Sequence, residues 1–277
     1  MKVICATDFS DASHNALLYA ALIAAQHESS LRILHVLTDT EFDAYLHDED
    51  PSLTFEEMQT KRKKKLEELR AEVSEKFPAL SCDTELLTGK FLRELQGMLG
   101  ENDFTLLVMG TTGRGSEEDS FLGSYSQHAI NELDIPVLIV PQNGSHGEIR
   151  KIVYASAMEP EDRAVIQQMV AFATVFQAVL RVVHLSTHES PSDEKRFEAY
   201  KEELSTFINY EHLYFDRQVI GGEIAWGLDL YVTDQRADML VLLTKHRNFF
   251  ERLFHKSVSN QLAYLTDYPI FVCKARE

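Results

Sequence analysis

No stretch of this 277-residue chain approaches the roughly 20 consecutive apolar residues of a membrane span. The opening MKVICATDFSDASHNALLYAALIAAQ meets Asp8, Asp11 and His14 before any apolar run long enough for a signal peptide, and it carries no cleavage signature. A cytoplasmic protein is therefore expected. Positive charge is scarce, with 27 Lys and Arg against 44 Asp and Glu and a net charge of −17. Such a field repels nucleic acid and anionic membranes, so neither is expected as a partner. Cysteine is scarce too: Cys5, Cys82 and Cys273 form no close-spaced motif and read as buried, reduced thiols. Among eleven histidines the closest metal-like spacing is His184-x-x-x-His188, with no acidic or cysteine ligand beside it in sequence.

The two best-known phosphate loops are missing as well. The stretch GTTGRGSEEDSFLGSYS, Gly110 to Ser126, begins like a dinucleotide fingerprint at Gly113-Arg114-Gly115, but the next required glycine falls at Glu118. A Walker A loop needs a lysine where the helix opens, and Gly123-Ser124-Tyr125-Ser126 supplies none.

What is present is the balance of a globular protein, 44% hydrophobic and 26% charged, at a length that suggests about two domains. The basic run Lys61 to Lys65 lies in an amphipathic segment with Leu66, Leu69, Val73 and Phe77 at helical spacing, and reads as a solvated helix face. Trp226, on a helix-like stretch, reads as core.

An internal repeat runs through the chain. KVICATDFSDASHNALLYAALIAA matches KIVYASAMEPEDRAVIQQMVAFATVF, with Lys2 opposite Lys151 and His35 opposite His184, both at an offset of 149 (151 − 2 and 184 − 35). Further on, Gly89 faces Gly222 and Ser124 faces Ser257, at an offset of 133. The second copy is thus expected to lack 149 − 133 = 16 residues between its second and third strands, the excess in the first being the acidic DTEFDAYLHDEDPSLTFEE. In each copy short apolar or β-branched runs alternate with amphipathic helical stretches, the signature of parallel strands joined by crossover helices. Strands are expected near 2–7, 31–37, 83–87, 104–110 and 136–140, and near 151–155, 179–185, 213–219, 239–243 and 270–273. The fold class is α/β, two doubly wound five-stranded parallel-sheet domains in tandem, spanning 1–141 and 150–277 across the polar linker QNGSHGEI.

Open parallel sheets bind ligands beyond the carboxyl ends of their strands. Asp8 after the first strand, Val36 near the end of the second and the loop from Gly110 after the fourth should converge there. Gly110 and Gly113 permit close backbone approach, and Gly123-Ser124 would present helix N-terminal N–H groups to an anion such as phosphate. Ser124 and Ser126 add hydroxyl donors, and Asp8 can accept from ribose hydroxyls or an adenine amine. The same glycines also suit an ordinary turn and helix start, and Asp8 is a candidate N-cap in competition with Ser10 and Asp11.

Gly110-x-x-Gly113, nine residues, then Gly123-Ser124 resembles the nucleotide motif of ATP-binding universal stress proteins, and ATDFS, LHVL and VLIVP are similar to that family's strands. With both copies covered, the chain resembles a tandem universal stress protein. The resemblance implies an adenine-nucleotide hydrolase-like sheet in each domain, pairing through the last strands as an intrachain pseudo-dimer, and pairing of whole chains as an option. It implies ATP, with or without Mg, as the ligand. Asp8 and the backbone of Val36 would hold adenine or ribose; Met109, Gly110, Gly113, Gly123, Ser124, Tyr125 and Ser126 would surround ribose and phosphates. Arg114 either contacts phosphate or is solvated, and the spacer residues Glu117, Glu118 and Asp119 either hold a divalent ion or face water. In the second copy Ala157, Leu243, His246 and Lys256 replace Asp8, Gly110, Gly113 and Gly123, so that copy is read as having lost the site. The function expected is an ATP-binding, stress-response regulatory role read by an unidentified protein partner. A weak ATP hydrolase and a nucleotide-free interaction scaffold are the alternatives.

Overall fold

The computed structural model describes residues 1–101, 103–111, 124–142, 144, 148–244 and 267–274. The chain divides into two compact units, the first ending and the second beginning between Gln142 and Gly144. The first unit runs β1 (Lys2–Ala6), α1 (Asp11–Gln26), β2 (Ser30–Leu37), α2 (Asp39–Asp48), α3 (Phe55–Lys76), β3 (Ser81–Thr88), α4 (Phe91–Glu101), β4 (Leu106–Gly110), α5 (Ser124–Glu132) and β5 (Val137–Val140). The second runs β6 (Lys151–Ala155), α6 (Asp162–Phe176), β7 (Val179–Ser186), α7 (Pro191–Phe207), β8 (Leu213–Val219), α8 (Ile224–Gln235), β9 (Met239–Thr244) and β10 (Ile270–Lys274). All ten strands fall where the apolar runs place them.

Within the first unit the strand order is β3-β2-β1-β4-β5, and within the second β8-β7-β6-β9-β10, every pair parallel. Parallel strands are covered on both faces by the crossover helices, which is why β1, β4 and β5 read as continuous apolar runs and are buried almost throughout. The order reverses between β1 and β4, and between β6 and β9, opening a crevice at their carboxyl ends.

Strand register refines the repeat. Val3 pairs with Leu31 and Leu106, and Ile152 pairs with Leu180 and Met239, reproducing the offsets of 149 and 133. At the third strand Leu31 pairs with Cys82 while Leu180 pairs with Leu213, an offset of 213 − 82 = 131. The hydrogen bonds Gly89 N–H to Leu37 O and Ile220 N–H to Ser186 O keep that offset to the strand ends. The second unit therefore lacks 149 − 131 = 18 residues before its third strand and regains 133 − 131 = 2 between β8 and Gly222. The figure of 16 is the net of the two.

The excess in the first unit builds α2 and the turn after it. Thr38 caps α2, and Thr54 with Glu57 forms a reciprocal capping box at the start of α3. Between them Leu37, Leu53 and Met58 form a small core, packed by Phe42, Tyr45, Leu46, Phe55 and Leu86. Fully burying a side chain such as Leu37 or Met58 contributes about 1.5–3 kcal/mol, enough to fold an otherwise acidic segment back onto the unit. Cys5 and Cys273 are buried and Cys82 is partly so; burial pushes the Cys82 thiol up to about 11 and the Cys273 thiol up to about 12, the expected inert state. Trp226 departs from expectation: it lies on α8 with 45% of its surface exposed and is not core.

Candidate functional site

The turn after β1 is built from its own side chains. The Thr7 N–H donates to the Leu34 carbonyl at 2.8 Å, carrying the chain one residue past the strand. Thr7 Oγ1 accepts the Phe9 N–H at 3.0 Å and pairs with Ser13 Oγ at 2.9 Å. Ser10 caps α1, its hydroxyl oxygen accepting the Ser13 N–H. Asp8 is thus not the cap: its Oδ1 accepts the Ser10 N–H at 3.0 Å and the Ser10 hydroxyl at 2.5 Å, which fixes one oxygen and the direction of the carboxylate.

The adjoining strand ends supply the other candidates. Val36 lies near the end of β2, beside β1, and Met109 and Gly110 end β4 on the other side of β1. Ser126, in the first turn of α5, donates its hydroxyl to the Gly110 carbonyl at 3.0 Å, so the opening of α5 is tied to the end of β4. Ser124 and Tyr125 are exposed at that opening, the Tyr125 ring 4.8 Å from that of Phe91. The structure thus gathers Asp8, Val36, Met109, Gly110, Ser124, Tyr125 and Ser126 at one end of the sheet; Gly113, Arg114, Gly123 and the acidic spacer lie outside the described residues. Gly110 has a packing reason to be glycine: a Cβ there would stand 2.7 Å from the Ala12 carbonyl carbon and 2.8 Å from the Ser13 nitrogen. A Cβ at Gly110 would therefore disturb the packing of α1 against β4.

Beside this turn lies a charged chain that the sequence does not announce. His35 Nδ1 is 2.7 Å from the Thr7 carbonyl, its Nε2 is 3.1 Å from Glu41 of α2, and the other Glu41 oxygen is 2.7 Å from Arg62 of α3. Burial pushes the Glu41 carboxyl up, but its contacts with His35 and Arg62 outweigh burial and hold it below the usual carboxylate range. Arg62 is buried, and Lys65 lies 5.3 Å over the Phe9 ring, so the run 61–65 is not wholly a solvated face. The signal was there in helical spacing: Arg62 stands four residues before the buried Leu66 and four after the buried Met58, on the same stripe.

The second unit repeats the frame and fills it differently. His184 Nδ1 is 3.0 Å from the Ser156 carbonyl and Nε2 is 3.4 Å from Asp193, which Arg217 also holds at 3.0 Å. This is the neighbour that sequence spacing did not reveal for His184. At the turn, Ser156 and Asp162 stand where Thr7 and Ser13 stand in the first unit. The buried Asp162 carboxylate accepts from Tyr154 at 2.7 Å, from Ser156 at 2.5 Å and from Tyr200 of α7 at 3.2 Å. Burial, then the Asp162 charge, pushes both tyrosine hydroxyls far above their ordinary value, so they remain donors. Arg196, also from α7, donates to the Ala157 carbonyl at 3.2 Å and the Met158 carbonyl at 3.0 Å. Leu243, at the Gly110 position, is buried. Among the described residues no group of three or more His, Cys, Asp and Glu is arranged to hold a metal ion, and no helix is long and apolar enough to cross a membrane.

A sequence model of the universal stress protein family matches the chain twice, over residues 1–141 and 148–274. The chain belongs to that family. Each half has the length of a whole relative: a universal stress protein of Thermus aquaticus is 33% identical over 139 residues, covering 50% of this chain and 96% of its own. One from Methanocaldococcus jannaschii is 27% identical over 139 residues, covering 50% and 81%. A solved universal stress protein from Archaeoglobus fulgidus matches both halves at once, covering 99% of this chain and 98% of its own with a TM-score of 0.72. At 17% identity that likeness bears on the fold. This universal stress protein is therefore a tandem of two family domains, as the internal repeat implies.

Proposed function

We propose that this tandem universal stress protein binds one ATP, with or without Mg, in its first unit, and that the second unit serves as a structural or regulatory partner. The carrying observation is a contrast at one position. In the first unit a carboxylate, Asp8, stands on the turn after β1, where strand order reverses and α5 opens across the crevice. In the second unit the same position is Ala157, whose carbonyl is occupied by Arg196.

The donor set fits an adenosine phosphate. Asp8 supplies acceptors for ribose hydroxyls or an adenine amine, and the opening of α5, with Ser124 exposed, supplies N–H and hydroxyl donors toward an anion. The Ser126 hydroxyl is committed to Gly110, so its part is to hold α5 in place. Gly113 and Gly123 complete the motif by sequence, with Arg114 in the spacer between them. In this reading the nucleotide state is passed to a protein partner through α2, which the Glu41 contacts tie to the strand ends.

Mass spectrometry of the gently purified chain tests this. Co-purifying ATP supports simple binding, whereas AMP or ADP points to slow hydrolysis in the same pocket. A chain free of nucleotide that also takes up none on addition is an interaction scaffold, and the proposal fails.

A further inference from the structure

Phe9 stands at φ 64°, in the left-handed region that bulky side chains rarely enter. A residue in that region persists only where its surroundings over-determine it, and such residues gather at ligand clamps. Phe9 is held on two fronts. Its N–H is fixed on Thr7 Oγ1. Its ring lies 4.6 Å from the His35 ring, at 50°, with the Arg62 guanidinium and the Lys65 ammonium each 5.3 Å from its centroid.

The groups that grip the ring are themselves fixed. His35 is set by the Thr7 carbonyl and Glu41, and Arg62 by Glu41 and the face of Tyr45 at 5.8 Å. The side chains around the ring come from β2 and α3 and are braced by α2 and by Thr7 of the turn itself, and their output is the peptide between Asp8 and Ser10. The second unit confirms that the turn itself does not require a ring. There Met158 takes the same position at φ 57°, its N–H on Ser156 Oγ at 3.0 Å, and the lock is Arg196 on the carbonyls. The unit with a carboxylate on the turn is the one that holds it by an aromatic clamp.

We propose that Phe9 is a positioning residue: clamped between His35 and the cations Arg62 and Lys65, it sets the direction of the Asp8 carboxylate toward the ligand. The basic run of α3 thereby acts on the site through an aromatic ring, and α2 and α3 become part of its machinery. This rests on the reading that Asp8 contacts the nucleotide, so the test separates the two.

The test uses the full-length, nucleotide-stripped chain and four variants: Phe9→Gly, which accepts the backbone angle and removes the ring; Phe9→Tyr, which keeps the ring; Asp8→Ala; and the double variant Asp8→Ala with Phe9→Gly. Two readouts are taken, ATP affinity by calorimetry and amide hydrogen exchange at Phe9 and Ser10 without ligand. Phe9→Gly should weaken ATP binding about tenfold with unchanged stoichiometry, while Phe9→Tyr binds like the natural chain. In the Asp8→Ala background Phe9→Gly should cost nothing further, because the ring acts only through the carboxylate. Exchange at the two amides should quicken in Phe9→Gly and not in Phe9→Tyr. Natural affinity in Phe9→Gly, or losses that multiply in the double variant, overturn the proposal. If the natural chain binds no ATP, or Asp8→Ala binds as well as it does, the nucleotide reading falls. The exchange data then decide the clamp alone: faster exchange upholds it, and unchanged exchange overturns it.

Discussion

The turn after β1 and the turn after β6 share a backbone and differ in what closes them. Both follow a strand end with a hydroxyl residue, Thr7 or Ser156, that captures the N–H two residues on, and both place a left-handed residue there, Phe9 or Met158. In the first unit the hydroxyl pairs with another hydroxyl, Ser13, and the carboxylate stands on the turn as Asp8. In the second the carboxylate has moved into the helix as Asp162, where Tyr154, Ser156 and Tyr200 consume it, and α7 seals the carbonyls with Arg196. The same fold thus presents its acceptor in one copy and internalises it in the other. On the proposed reading, the second unit has exchanged the carboxylate on the turn for a buried one whose hydrogen bonds are made within the unit.

The sharpest way to break this comparison is to exchange the demands of one position. Leu243→Ala removes buried volume from the second unit and should cost about 2–5 kcal/mol, read as a lower unfolding midpoint. Gly110→Ala, at the matching place, adds a single methyl against the α1 backbone and should cost about 1–3 kcal/mol. If Gly110→Ala leaves stability untouched and only weakens ligand binding, that glycine is there for the ligand and not for α1.

The charged chains offer a test by pH. Because folded Glu41 lies below its ordinary value of 4.5, its stabilising contribution is present above that value and is lost as pH falls through the lower folded value. Glu41→Gln should therefore cost about 2 kcal/mol near neutral pH, less than the 3–5 typical of a fully buried pair because Glu41 is partly exposed. The stability curves of the two proteins should converge on acidification. Asp193→Asn should show the same sign in the second unit, since Asp193 is also held below its ordinary value once burial is outweighed by Arg217 and His184. Curves that stay parallel down to acid pH would show that these carboxylates carry no such load. The smallest effect belongs to the cap: Ser10→Ala should cost about 1 kcal/mol, while Asp8→Ala should leave α1 capped.

Much of this architecture is legible in the residues. The continuous apolar runs of β1, β4, β5, β6 and β9, alternating with amphipathic helical stretches, read as buried parallel strands, and the internal repeat doubles the evidence for each strand it duplicates. The gap in the second copy reads as 16 residues because Gly89 and Gly222 look equivalent, while the two-residue difference between β8 and Gly222 falls outside the strands and leaves no hydrophobic trace. Arg62 was hidden by its neighbours: Lys61, Lys63 and Lys64 are exposed, and a charge run reads as one surface. Trp226 erred the other way, since an aromatic on a helix reads as core when nothing local marks its exposure. Phe9 could not be foreseen at all, because its own propensity opposes the angle it adopts and only the packing of His35 and α3 overrides it.

The central claim, a single nucleotide pocket in the first unit, is tested most directly by titrating ATP into the nucleotide-stripped chain. One site per chain is expected, weakened in Asp8→Ala and lost in Gly123→Val while circular dichroism stays native, and unchanged in Lys256→Ala. Two equivalent sites per chain, or undiminished binding by a folded Asp8→Ala or Gly123→Val protein, would contradict it.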